Sequence, residues 1–276
     1  MSNNYINNSF KYILLSILFL NVVLQHYLKL PDFDQVLNLL ISYGIFDYYK
    51  NNQFESNREI NILQTIFSLF LLIVTLYRSF WLHIDDNFIY LFFPLLLISL
   101  ALLFNNYNHI FKNFSPILMA LLFPIGKVLF IPLAFVLTPF STVITWLSLN
   151  ALGFYSVLQV PEIFYKGSGI NVNFSCSGAG QIIFCITAMI IFNFCFPLKN
   201  VKFFLVQLFR SFLFTFSTNI IRLILLAIYV NTAASTSFST FDYLHGGNGG
   251  LIFSFFSMLF SCESYKRLYF RDIQIK

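Results

Sequence analysis

Three polar side chains, Cys176, Arg222 and His245, stand where a strongly apolar chain would not place them without a reason. A thiolate attacks carbonyls, an imidazole carries protons near neutral pH, and a guanidinium holds developing negative charge; together they suffice for acyl transfer from a peptide. Cys176 lies in Asn173-Phe174-Ser175-Cys176-Ser177-Gly178-Ala179-Gly180-Gln181, where a polar stretch turns into an apolar run. That position predicts a helix N-terminus, whose unpaired amides and dipole favour thiolate over thiol. A cysteine beside small residues is equally consistent with compact packing, so position alone does not assign it.

Arg222 falls inside an apolar segment 20 residues after Lys202, about 30 Å along a helix, which carries it to the opposite boundary of a bilayer. A charge within a span costs roughly 2.5–3.5 kcal/mol on insertion scales and ordinarily faces a cavity or a partner, unless it snorkels to head groups. Asn219 and Thr215 share its helix face, giving that segment a polar stripe, while Arg210 lies nearer the other end and reads as structural. His245 opens Leu244-His245-Gly246-Gly247-Asn248-Gly249-Gly250, a glycine run that lets backbone approach another group closely.

The elements that must position these residues are membrane helices. The chain is 58% hydrophobic and only 10% charged, roughly half the charge of a soluble domain, so water is not its main solvent. Apolar runs reach the roughly 20 residues needed to cross a hydrocarbon core, and none alternates as a strand would. The expected fold is all-α, a polytopic bundle of about eight spans near 10–28, 62–80, 88–105, 116–136, 138–153, 178–196, 202–230 and 249–265. Pro124, Gly126, Lys127, Pro132 and Pro139 interrupt the apolar run of the fourth and fifth, for which one kinked span plus a surface helix is the alternative arrangement. The first run holds Asn21 and Gln25 and lacks a small-x-small cleavage site, so it is expected to be retained rather than removed as a signal peptide.

Lys199 and Lys202, with Lys266, Arg267, Arg271 and Lys276 of the tail, put the loop between spans six and seven and the C-terminus in the cytoplasm. The connections Leu158 to Ser177 and Asn231 to Asn248 then share the other face with Cys176, Arg222 and His245. Alternation on either side of Gly167-Ser168-Gly169 predicts a short hairpin lying on that surface before the cysteine. The net charge of +5 gathers at segment ends, which argues for membrane topology and against nucleic acid. Cys176, Cys185, Cys195 and Cys262 contain no CxxC pair, so neither a metal site nor a cofactor is expected. The chain reads as a single integral membrane domain over 1–276.

At these residues the sequence resembles the exosortase and archaeosortase family, multi-pass enzymes that process C-terminal sorting signals. The family's three motifs correspond to Cys176-Ser177-Gly178, Asn219-Ile220-Ile221-Arg222 and His245-Gly246-Gly247-Asn248-Gly249, in the family's order. Leu122-Phe123-Pro124-Ile125-Gly126 and Leu152-Gly153-Phe154 extend the likeness, which covers a catalytic core over about 115–265; residues 1–114 show generic hydropathy. Ser175 before the cysteine, Gly180-Gln181 after it and Gly250 after the last motif depart from the usual pattern.

The resemblance implies a membrane cysteine transpeptidase with Cys176, Arg222 and His245 as catalytic residues and Ser177, Gly178, Asn219 and Gly249 in support. It implies as partners exported proteins ending in a short motif, a transmembrane helix and a basic tail, a glycan or lipid acceptor at the cell surface, and the lipid bilayer. The expected site is the plasma (inner) membrane, with the active site on its non-cytoplasmic face. Two other readings stay open: a non-catalytic transporter or assembly protein in which Arg222 binds an anion, and a rhomboid-like serine protease using Ser168 and His245.

Overall fold

The computed structural model describes residues 32–51, 62–79, 88–104, 114–233, 244–245 and 247–274, together with Leu15, Ser16, Phe19 and Val23. Among them are seven long helices and one small sheet. The expected first span lies almost wholly outside the described residues. The chain divides into two compact units, one up to Ile125 and one from Gly126 onward.

The first unit contains α1 (Asp32–Asn51), α2 (Ile62–Ser79), α3 (Phe88–Phe104) and the beginning of α4 (Phe114–Ala151). Helix α1 was not among the expected spans. It buries Leu37, Ile41 and Ile45 at four-residue spacing, but also Asp34, Asn38 and Ser42, and this mixture hides it from hydropathy. Helices α2 and α3 are fastened by polar side chains: Gln64 donates to the Leu102 carbonyl at 2.7 Å and Ser68 to that of Ser99 at 3.2 Å.

Helix α4 runs unbroken through the stretch expected to hold two separate elements. Each of its prolines forfeits one backbone hydrogen bond, whereas breaking the helix in an apolar setting would strand several. Gly153, at φ 85°, ends it in the left-handed conformation that glycine adopts without strain. The chain then forms β1 (Ser156–Gln159), β2 (Glu162–Tyr165) and β3 (Ser168–Asn171), an antiparallel meander. The hairpin expected from sequence is β2–β3, closed by Lys166 and Gly167, both at positive φ as a two-residue hairpin turn requires. Cross-strand partners Ile163 and Ile170 face inward, packing with Leu149 of α4.

A one-turn 3-10 helix (Phe174–Cys176) leads into α5 (Ala179–Cys195), followed by α6 (Val201–Ala233) and α7 (Gly247–Gln274). These three helices pack on one another, and both β2 and β3 rest against α6. Helices α4 and α6 are long and apolar enough to cross a bilayer; α2, α3 and α5 are apolar but shorter. The Lys199 amide donates to the Asp272 carboxylate at 2.6 Å, so the α5–α6 loop and the α7 tail meet at one end of the three-helix group. The sheet and the start of α5 lie at the other end.

Candidate active site

Cys176 is placed by its neighbours on every side. Its amide donates to Asn173, to the backbone carbonyl at 3.0 Å and the side-chain Oδ1 at 3.1 Å. Its carbonyl accepts from Asn219 Nδ2 at 3.0 Å. Ser177 Oγ donates to the Phe174 carbonyl at 2.7 Å and accepts from the Ala179 amide at the start of α5, and the Ser177 carbonyl accepts from Ser141 Oγ of α4 at 3.0 Å. Gly178 explains why the first and second motifs belong together. Its φ is 85°, and a Cβ there would stand 2.7 Å from the Asn219 side chain, so only glycine lets α6 approach and hold the cysteine turn.

The cysteine sulfur lies 3.7 Å from His245 Nε2, within reach of proton exchange once either group shifts slightly. Cys176 is 3% exposed, while His245 is exposed, so the pair joins the interior to the surface. Arg222 is 5% exposed and reaches the same segment as the histidine. Its Nε donates to the Leu244 carbonyl and its Nη2 to the His245 carbonyl, each at 3.1 Å. Those bonds use two of the guanidinium's five N–H donors and fix the backbone that carries the imidazole. Among the described residues no carboxylate pairs with Arg222. Its charge pulls the Cys176 thiol pKa down, as does the Asn173 amide, but burial pushes the thiol up and outweighs both. Desolvation thus exceeds the pull of the guanidinium and the amide, against the lowering expected at a helix terminus.

A cavity of about 190 Å³ opens on this group, lined by Cys176, His245, Asn171, Asn173, Leu223 and Leu226, with Gly169 and Ile170 of β3 beside them. The profile of the transmembrane exosortase family matches residues 31–262. The chain belongs to that family. No curated protein and no solved structure matches it. The exosortase profile begins well upstream of the stretch that carries the motifs, and with the apolar helices it makes this chain a helical membrane protein.

In this exosortase the structure brings together Cys176, Arg222, His245, Ser177, Gly178 and Asn219. Gly249 is buried in the first turn of α7, and the neighbouring Gly250 carbonyl accepts from Gln181 Nε2 at 3.3 Å, tying the third motif to α5. Gly246 lies outside the described residues. Ser168 closes the β2–β3 hairpin opposite Tyr165 and does not line the cavity. Sequence reasoning passed over Asn173, Ser141, Gln181, Leu223 and Leu226. Asn173 had a legible signal, an Asn three residues ahead of Cys176 at a helix start. Ser141 had none, because its role depends on how α4 packs.

Proposed function

We propose that this exosortase is a cysteine transpeptidase that cleaves exported proteins just before a C-terminal transmembrane helix and passes them to a surface acceptor. The approach of the Cys176 sulfur to His245 Nε2, in a cavity that both residues line and beside backbone that Arg222 holds, carries this reading. Cys176 passes its proton to His245 and attacks the peptide carbonyl carbon, forming a C–S bond. Arg222, through N–H groups not engaged by the Leu244 and His245 carbonyls, stabilises the oxyanion. When the C–N bond breaks, His245 gives the proton to the departing amine. An acceptor amine, hydroxyl or water then loses its proton to His245, attacks the thioester and releases the sulfur, which recovers the proton. Asn219, Gly178 and Ser177 hold the cysteine turn in place through the contacts already described.

Burial pushes the Cys176 thiol pKa up, so transfer to His245 is part of the attack rather than a step completed beforehand. The basic loop and tail lie at the end of the α5–α7 group remote from the site, which supports a multi-pass plasma-membrane protein with its active site on the non-cytoplasmic face. Substrates are proteins with a short motif, a single span and a basic tail; the acceptor is a glycan or lipid amine or hydroxyl. Co-expression of such a substrate with the Cys176→Ala variant tests the proposal. The variant is expected to accumulate in membranes and leave the substrate uncleaved; cleavage at the parental rate would overturn it.

A further inference from the structure

The sheet has two outer edges, and they are treated differently. On β1, the Ser156 amide donates to Asn150 Oδ1 at 3.1 Å and its carbonyl accepts from Trp146 Nε1 at 3.0 Å, so the end of α4 covers that edge. On β3, among the described residues, no strand pairs with the outer side. Alternate residues of an antiparallel strand direct both amide and carbonyl to the partner, and those between direct theirs away. The phase is set twice: Tyr165 and Ser168 close a two-residue turn, and the Val172 amide donates to the Pro161 carbonyl at 2.9 Å. Ser168, Ile170 and Val172 therefore face β2, and Gly169 and Asn171 turn their amide and carbonyl groups outward.

Those two residues also line the cavity that holds Cys176 and His245. Gly169 has no side chain to shield the edge. The Asn171 side chain folds back across the sheet, donating to Glu162 Oε1 at 3.1 Å, and leaves its own backbone uncovered. The edge carries no lysine, proline or bulge of the kind that ordinarily blocks strand addition.

We propose that the outer edge of β3, at Gly169 and Asn171, binds the substrate as a fourth strand and so presents its scissile carbonyl to Cys176. An extended peptide is the ligand whose amides and carbonyls recur at the two-residue spacing of this edge; neither an acyl chain nor a sugar does so. Leu223 and Leu226, three residues apart on one face of α6, provide the apolar wall for an inward side chain, so side-chain preference and backbone pairing are read by different elements. This inference rests on Cys176 being the nucleophile.

The test uses the full-length exosortase in detergent and the probe acetyl-tetraalanyl chloromethyl ketone, which forms an S–CH2 bond and releases chloride. Its rate of Cys176 alkylation, located by peptide mapping, is divided by that of iodoacetamide, which needs no strand. N-methylation of the probe one amide at a time should lower that ratio about tenfold at alternate positions and little at those between, the effect of losing one hydrogen bond. Asn171→Pro removes an outward N–H that the β2 ladder does not use and should lower the ratio about tenfold, whereas Asn171→Ala keeps the N–H and the ratio. Equal sensitivity at every amide, or equal loss in the proline and alanine variants, would overturn the edge as the binding element. Those results are read on the thiol itself, so they stand apart from the Cys176→Ala cleavage assay, whose failure would remove the catalytic reading instead.

Discussion

Helix α6 buries Gln207, Ser211, Thr215, Asn219 and Arg222, and the first and last of these, about four turns apart, are built to opposite ends. Gln207 is fully engaged. Its Nε2 donates to the Ser261 carbonyl at 2.7 Å, and its Oε1 accepts from Ser264 at 2.8 Å, so it staples α6 to α7. Arg222 instead grips the Leu244 and His245 carbonyls beside the cavity that holds Cys176, and unpartnered buried oxygens occur near both groups: Asn219 Oδ1 one turn before Arg222, and Ser261 Oγ beside Gln207. Buried polar groups are ordinarily satisfied, and each exception calls for a reason. Gln207 joins one helix to another, whereas Arg222 holds the segment that carries the candidate histidine.

The sharpest way to break this comparison is to exchange each group for an apolar one of similar length. Arg222→Met should reduce cleavage of a co-expressed substrate at least about 100-fold, the scale of losing an oxyanion donor, whereas Gln207→Met should leave cleavage per folded molecule near the parental value. Arg222→Lys should recover only part of the loss, because an ammonium cannot fork to the Leu244 and His245 carbonyls together. Equal activity in the arginine and glutamine variants would erase the distinction.

Gly178→Ala should come next. A left-handed alanine costs about 1–2 kcal/mol, and its Cβ would press on Asn219, so the unfolding midpoint in detergent should fall. Adding Asn219→Ala should relieve part of that clash, so the two changes should combine less than additively. Gln207→Leu should cost about 1–3 kcal/mol in thermal stability, the penalty of leaving buried partners unmatched. Its Cys176 alkylation rate should stay within about twofold of the parent, as expected of distant, independent sites.

The smallest effect is a shift along the pH axis. Iodoacetamide reacts with thiolate, and burial raises the Cys176 pKa, so the alkylation rate should climb with pH toward a midpoint above the ordinary cysteine value of about 8.5. Arg222 works against that rise, so Arg222→Met should move the midpoint higher still. A parental midpoint below neutrality would show that the helix terminus and Arg222 outweigh burial.

Much of the site was legible in the linear chain because its chemistry needs residue types that a membrane helix otherwise excludes. An arginine in an apolar run, a histidine before glycines and a cysteine at a polar-to-apolar junction announce themselves against such a background. The β2–β3 hairpin was legible too, since alternation around Gly167 is a local signal. Less visible was α1, whose buried polar stripe imitates a soluble segment, and the continuity of α4, since prolines that break helices in water are tolerated where no water can take the freed backbone groups.

Sequence alone therefore determined the solvent of this protein, the candidate residues for its site and the apolar helices around them, because composition and periodicity are properties of neighbours along the chain. Only the tertiary structure decided which groups touch. That Asn219 holds the cysteine carbonyl, that Gly178 makes room for it, and that Arg222 grips the histidine's backbone all depend on contacts between segments distant in the chain. The upward push on the Cys176 thiol arises there as well, since desolvation is a sum over everything packed around an atom, and no local motif encodes that sum.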